Sequence, residues 1–168
     1  MNNYMKLEIA ARSVNESFAR SAVAAFAVSL NPSLIELDDI KTAVSEAVTN
    51  CIVHAYGKNA AENKIVIECR SEETEMGGVL HITVTDFGCG IANVEQAVLP
   101  FYTTLADDER SGMGFTIMQT FMSEFALSSA KGQGTVVTMT KKIGGENIKT
   151  AIFAEERMKM EKKERVNA

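Results

Sequence analysis

The hydrophobic positions change their period along the chain, and each change marks an element. Lys6 to Ala11 has the pattern of a short first strand. Ser13-x-x-Glu16 then reads as a capping box opening a helix to about Leu30, where Asn31-Pro32 ends it. A second capping box, Ser33-x-x-Glu36, precedes the clearest helical stripe in the chain. There Leu37, Ile40, Val44, Ala47, Val48, Cys51 and Ala55 recur at a spacing of about 3.6 residues, and Gly57 is a natural stop. Lys64 to Arg70 and Val79 to Asp86 alternate with strand period around an acidic segment ending in Gly77-Gly78, which predicts an antiparallel hairpin.

From Phe87 to Gly114 the chain is glycine-rich and polar, with at most a short helix near Asn93 to Val98. Segments this long inside a compact domain commonly carry function, so a lid is expected here. Phe115 to Phe125 resumes helical spacing, and strands at about Phe125 to Ser129 and Thr135 to Lys142 flank the turn Lys131-Gly-Gln-Gly134. The order β-α-α-β-β-α-β-β predicts an α+β fold. In it a two-layer sandwich has a mixed, mostly antiparallel sheet covered by helices on one face, because each layer has one apolar face to bury.

Composition narrows the function. The chain of 168 residues is 46% hydrophobic and 23% charged, enough for one domain with a single core. Seventeen Lys and Arg against 22 Asp and Glu leave a net charge of −5, which argues against direct nucleic-acid binding through phosphates. Residues 1–142 are expected to form the domain and 143–168 a charged helix or tail. That tail holds six basic and five acidic residues, including Glu155/Lys159 and Glu161/Arg165 pairs. Cys51, Cys69 and Cys89 contain no CxxC pair, so neither a disulfide framework nor a zinc site is suggested. The first residues lack a basic head before an apolar run, and no stretch approaches the ~18 apolar residues of a membrane span. A cytoplasmic protein without membrane contact is expected.

Several residues have the chemistry of a site. At about 100° per residue, Glu46 lies about 150° and Asn50 about 110° from the centre of the apolar stripe, so both share the opposite face, and His54 extends the row. Leu80, Ile82, Val84 and Asp86 point to one side of their strand, so a carboxylate ends an apolar row where an unpaired charge is costly. Gly88 and Gly90 follow at once and allow close backbone approach. Gly112-Met-Gly114 stands directly before a helix, where free N–H groups suit an anion, and Arg110 is near enough to meet a phosphate.

Taken in order, Glu46-xxx-Asn50, Asp86-x-Gly88-x-Gly90, Gly112-x-Gly114-Phe and Gly132-x-Gly134-Thr135 resemble the N box and three glycine boxes of the GHKL superfamily of ATP-binding proteins. That superfamily includes gyrase-type ATPases, Hsp90, sensor histidine kinases and MutL-type repair proteins. Within it, four segments are similar to the family of sporulation anti-sigma F factors, which are serine protein kinases. The segments are NESFAR at 15–20, IKTAVSEAVTNCIVHAY at 40–56, FYTT at 101–104 and ERSGMGFTIM at 109–118, and the likeness spans about residues 5–142.

The resemblance implies the GHKL (Bergerat) fold, with ATP and Mg²⁺ as cofactors. It makes Glu46 the general base, Asn50 the Mg²⁺ ligand and Asp86 the acceptor for the adenine amino group. It assigns Gly88 and Gly90 to room for the base, Gly112 and Gly114 to the phosphates, and Arg110 to the γ-phosphate. Thr104 of the lid and Thr135 of the last box are further nucleotide contacts, and Arg20 is a partner contact. The implied partners are a sigma factor, an anti-anti-sigma factor phosphorylated on serine, and a second copy of the chain. Leu105 stands where the family commonly has lysine, and Ala55 where it has glycine. Two other readings stay open: an ATP-sensing binding module without kinase activity, and a detached histidine-kinase-type catalytic domain. Against the latter, neither His54 nor His81 lies in a separate helical hairpin.

Overall fold

The computed structural model describes residues 2–56, 63–74, 77–101 and 112–144. The chain opens with β1 (Asn3–Ala10), α1 (Val14–Ala27), a 3-10 turn (Val28–Leu30) and α2 (Leu34–Asn50), followed by a π-helical turn (Cys51–Ala55). Next come β2 (Lys64–Thr74), β3 (Gly77–Asp86), the short α3 (Val94–Ala97), α4 (Gly114–Phe121), β4 (Glu124–Ser129) and β5 (Thr135–Ile143). The five strands lie in the order β1-β2-β3-β5-β4. The α+β class holds, but among the described residues every strand pairing is antiparallel, so the expected mixed sheet is corrected to an antiparallel one. Each strand meets its neighbours through hairpin-like or long returning connections, and none requires a parallel crossover.

The two capping boxes come out differently. At α2, Ser33 is extended, its hydroxyl accepts from Glu36 N at 3.2 Å, and Glu36 Oε2 accepts from Ser33 N at 2.7 Å. At α1, Ser13 has helical dihedrals and its side chain makes no cap bond. Glu16 turns instead to Arg20, and Asn15 Nδ2 secures the helix entry by donating to Ala10 O at 2.8 Å. α1 stops at Ala27, before the expected Leu30, because the last turn tightens to 3-10 and Asn31 adopts a left-handed φ of 54°.

Burial on β3 alternates strictly, so that Leu80, Ile82, Val84 and Asp86 face the helices. Ile65, Ile67 and Cys69 of β2, with Val137 and Met139 of β5, extend this face. Val23 and Ala27 of α1, and Ile40, Val44 and Val48 of α2, cover it. Alanines at positions 19, 43 and 47 are fully buried, which lets the helix backbones approach one another. β2 and β3 run farther than expected, and Gly77-Gly78 lies within β3. α4 ends at Phe121, short of the expected Phe125, because Met122 turns extended and the chain enters β4. Ile143 is a buried end of β5; the rest of the expected tail, beyond Gly144, lies outside the described residues. Among the described residues, no helix is long and apolar enough to cross a membrane.

Candidate functional site

A cavity of about 780 Å³ opens where α2, α4, the loop after β3 and the β4–β5 turn converge. Its size is that of a small-molecule site. Glu46, Asn50, Asp86, Gly90, Gly112, Gly114 and Thr135 all line it, so residues from all four boxes meet at one place. Thr104 and Arg110, like Leu105, lie outside the described residues. Arg20 does not line the cavity. It lies on α1, where its guanidinium pairs with Glu16 at 3.0 Å and its side chain is 42% exposed.

Asp86 forms one end of the site. It is only 3% exposed. Its Oδ1 accepts from Gly88 N at 2.9 Å and from Thr135 N at 3.2 Å. Burial pushes the Asp86 carboxyl above its ordinary range despite these donors. Cys51 is raised further, first by burial and then by the charge of Asp86. A buried acceptor with backbone donors fixed on one oxygen suits recognition of a ligand N–H group.

The loop after β3 is tied to the π turn and to the β4–β5 turn. Cys89 N donates to Ala55 O at 2.8 Å, Cys89 Sγ donates to His54 O at 3.2 Å, and Gly132 N donates to Cys89 O at 2.6 Å. Gly90 takes a φ of +66°, and a Cβ there would stand 2.0 Å from Ala130 O. Gly88 has a different task from lining the cavity: a Cβ would meet Ala55 O at 2.2 Å, so glycine is what lets this loop pack on the π turn. Tyr56 completes the joint, its hydroxyl donating to Lys64 O and accepting from Phe87 N at 2.7 Å.

At the opposite wall, Gly114 begins α4 against α2. A Cβ on Gly114 would lie 2.9 Å from Glu46 Oε2 and 3.2 Å from Asn50 Nδ2. The N-terminus of α4 therefore abuts the two polar side chains of α2, with Gly112 and Met113 on the same wall. Helix N-terminal N–H groups attract anions, while a carboxylate and an amide oxygen beside them suit a hydroxyl proton and a hard cation. One end thus accepts a donor group and the other attracts negative charge.

Sequence reasoning missed part of this wall. Cys51, Cys89, Asn93, Gln96 and Lys131 also line the cavity, and His54 joins them as the last polar residue of the predicted row. Cys51 belongs to the apolar stripe and to the core, and its edge also reaches the cavity. The π turn that carries it leaves no trace in the hydrophobic spacing, although its neighbour Asn50 was singled out. Asn93 and Gln96 had a local signal in the Asn-led start of α3, where Asn93 Oδ1 caps Gln96 N at 2.9 Å.

Comparisons with known proteins agree with this geometry. The model of the histidine kinase-like ATPase domain family matches residues 9–141. The anti-sigma F factor of Caldanaerobacter subterraneus subsp. tengcongensis is 54% identical over 144 residues, covering 85% of this chain and 96% of that protein. The anti-sigma F factor of Clostridium perfringens is 51% identical over 144 residues, covering 85% and 99%. That of Pasteuria penetrans is 50% identical over 141 residues, covering 84% and 91%. The solved structure of the RsbU and RsbW domains of a Mycobacterium tuberculosis protein shares the fold, with a TM-score of 0.58 at 17% identity over 84% of this chain and 32% of that one. With the boxes assembled around one cavity and half of the aligned positions shared with these relatives, the chain belongs to the anti-sigma F factor family of histidine kinase-like ATPase domains.

Proposed function

We propose that this protein is an anti-sigma factor that binds and inhibits a sporulation sigma factor and, as an ATP-dependent serine kinase, phosphorylates and thereby inactivates its anti-anti-sigma antagonist. The observation that carries the kinase half is Glu46, a carboxylate against the N-terminus of α4 and beside Asn50. A module that only sequesters a partner needs no base there. The sigma-binding half is supported by the names of the relatives, and the resemblance would make Arg20 a contact on that partner surface.

ATP suits the cavity on its own chemistry: a buried acceptor at one end, an anion-attracting helix start at the other, and a volume of about 780 Å³ between them. Asp86 would accept from the adenine amino group, with Gly88, Gly90 and Thr135 shaping that end. Backbone N–H groups around Gly112 and Gly114 would hold the phosphates. The Asn50 side-chain oxygen would hold Mg²⁺, a hard cation that prefers oxygen ligands and would help neutralise phosphate charge. Bound ATP supplies the phosphoryl group. Glu46 takes the proton from the attacking serine hydroxyl, Arg110 meets the charge at the γ-phosphate, and Thr104 contacts the nucleotide from the lid. The working unit is a homodimer in the cytoplasm.

The test is to incubate the full chain with labelled ATP, Mg²⁺ and candidate antagonists and to follow label on serine. Glu46→Gln should keep ATP and sigma binding while transfer falls about 10²- to 10⁴-fold. Unchanged turnover would remove Glu46 from the chemistry. Intact binding with no transfer by the natural protein would leave an ATP-sensing sequestering module, and label on histidine a histidine-kinase-type domain.

A further inference from the structure

One hydroxyl joins three segments at the Asp86 end of the cavity. Ser129 Oγ, at the end of β4, accepts from Ile91 N at 2.8 Å and donates to Gly134 O at 2.7 Å. It also lies 3.1 Å from Thr135 Oγ1. Ile91 and Thr135 line the cavity, and Thr135 N donates to Asp86 Oδ1 at 3.2 Å. The direction of each bond follows from what the groups can do. A serine hydroxyl has one proton and two lone pairs, whereas a backbone carbonyl can only accept. The Ser129 proton must point to Gly134 O, since otherwise two acceptors would stand 2.7 Å apart with no hydrogen between them. The proton between Ser129 and Thr135 therefore belongs to Thr135. Thr135 donates to Ser129, Ser129 donates to Gly134 O, and the Ile91 N–H takes the remaining lone pair.

We infer that Ser129 is a positioning residue for base recognition: by accepting the hydrogen bond of Thr135 it leaves that hydroxyl only lone pairs to offer a ligand, so that Asp86 and Thr135 together select a 6-amino purine over a 6-oxo purine. The inference rests on the nucleotide reading above. A 6-amino group carries two N–H donors, one for each acceptor. A 6-oxo group carries none and sets an acceptor against both. A threonine hydroxyl free to rotate would discriminate poorly, because it donates to an oxo group as readily as it accepts from an amino group. Ser129, which does not itself line the cavity, removes that freedom from behind the wall. The same hydroxyl holds the loop of Ile91 to the turn of Gly134, so the two walls that flank Asp86 keep their spacing.

The experiment measures ATP and ITP binding by titration calorimetry, with Mg²⁺, on the full chain and on Ser129→Ala, Ser129→Thr and Thr135→Val. In Ser129→Ala the Thr135 proton is free to turn toward a ligand, and the ratio of ATP to ITP affinity should fall about three- to tenfold. Ser129→Thr keeps a hydroxyl and should hold the ratio near its natural value. A purely structural role would weaken both nucleotides together and leave the ratio in place. Thr135→Val leaves the Ser129 bonds to Ile91 and Gly134 intact and should lower the ratio by itself, and adding Ser129→Ala to it should lower the ratio no further. An unchanged ratio in Ser129→Ala or in Thr135→Val, a fall in Ser129→Thr as large as that in Ser129→Ala, or an equal further fall in the double variant would overturn the inference while leaving the nucleotide reading intact. Failure of the natural chain to bind ATP would overturn both.

Discussion

Gly114→Ala adds one methyl group at the point where α4 meets α2. The new Cβ would lie 2.9 Å from Glu46 Oε2, 3.2 Å from Asn50 Nδ2 and 3.4 Å from Asn50 Oδ1. Ordinary carbon–oxygen contact begins near 3.4 Å, so the Glu46 carboxylate must retreat by roughly 0.5 Å, and Asn50 by less. Both atoms are the ends of flexible side chains, so the fold can absorb the shift. Gly114 does not need a left-handed backbone, and alanine in a helix is favoured over glycine by up to about 1 kcal/mol. Stability should therefore stay level or rise slightly. Chemistry should not. A catalytic group is useful only within about 0.5 Å of its productive position, and displacements of about 1 Å cost about 10²-fold in rate. We expect serine phosphorylation to fall about 10- to 100-fold in kcat, with a melting temperature equal to or above that of the natural chain. Single-turnover phosphorylation together with thermal melting by circular dichroism measures both. Natural turnover in Gly114→Ala would show that the contact of Glu46 and Asn50 with α4 is irrelevant to the reaction.

Three further perturbations address other parts of the molecule. Asp86→Asn should weaken ATP at least about tenfold by calorimetry, since a bond to a charged acceptor is lost, and equal affinity would remove Asp86 from recognition. Lys141 lies half-buried between Asp39 Oδ2 at 2.8 Å and Phe121 O at 2.6 Å. Lys141→Met leaves Asp39 without this partner and should cost about 1–2 kcal/mol in urea denaturation. A loss below about 0.5 kcal/mol would mean that the half-buried pair contributes nothing net. For Glu36, burial would raise the pKa but is outweighed by bonds from Ser33 and Gly144 and by the charge of Lys141, so the carboxyl lies below its ordinary range. A lowered carboxylate contributes its full stability above the unfolded pKa of about 4.3 and loses it as pH falls through the folded value. Glu36→Gln should flatten that acid limb of the stability profile, and an unaltered limb in thermal melts would refute the assignment.

The parts of this fold that were legible in the sequence depend on short spacing. Alternation on β3 carried through to the buried Asp86, and the Glu46/Asn50 spacing put both side chains on the polar face of α2, against α4. The same rules misread places decided by distant partners. Ser13-x-x-Glu16 and Ser33-x-x-Glu36 are identical patterns, yet only the second closes, because Glu16 has Arg20 one turn away while Glu36 also accepts from Gly144 N at 3.0 Å across the fold. Phe125 fits helical spacing from Phe115, but it belongs to β4 and packs its ring 6.0 Å from that of Phe115, so the apolar match reflects contact across elements. The π turn could not be read at all. Cys51 and Ala55 fit either helix type, and the wider turn goes with the bonds that the His54 and Ala55 carbonyls accept from Cys89.

That turn joins the two ends of the cavity. Asn50 and Cys51 are consecutive, yet Asn50 faces Gly114 and the anion-attracting end, whereas the Cys51 thiol feels the charge of Asp86 at the other. A few residues later the same backbone anchors the loop that carries Gly88 and Gly90. Ala55, which departs from the family's glycine, shows how tight this joint is: its oxygen and its Cβ would lie 2.2 and 2.6 Å from a Cβ on Gly88. The alanine is tolerated because the residue facing it has no side chain. The glycine box after Asp86 thus serves the helix as much as the ligand. A disturbance of the π turn would reach both ends of the cavity, because the end of α2 aligns Glu46 and Asn50, while the π turn anchors the loop whose Gly88 N–H holds the carboxylate that would read the base.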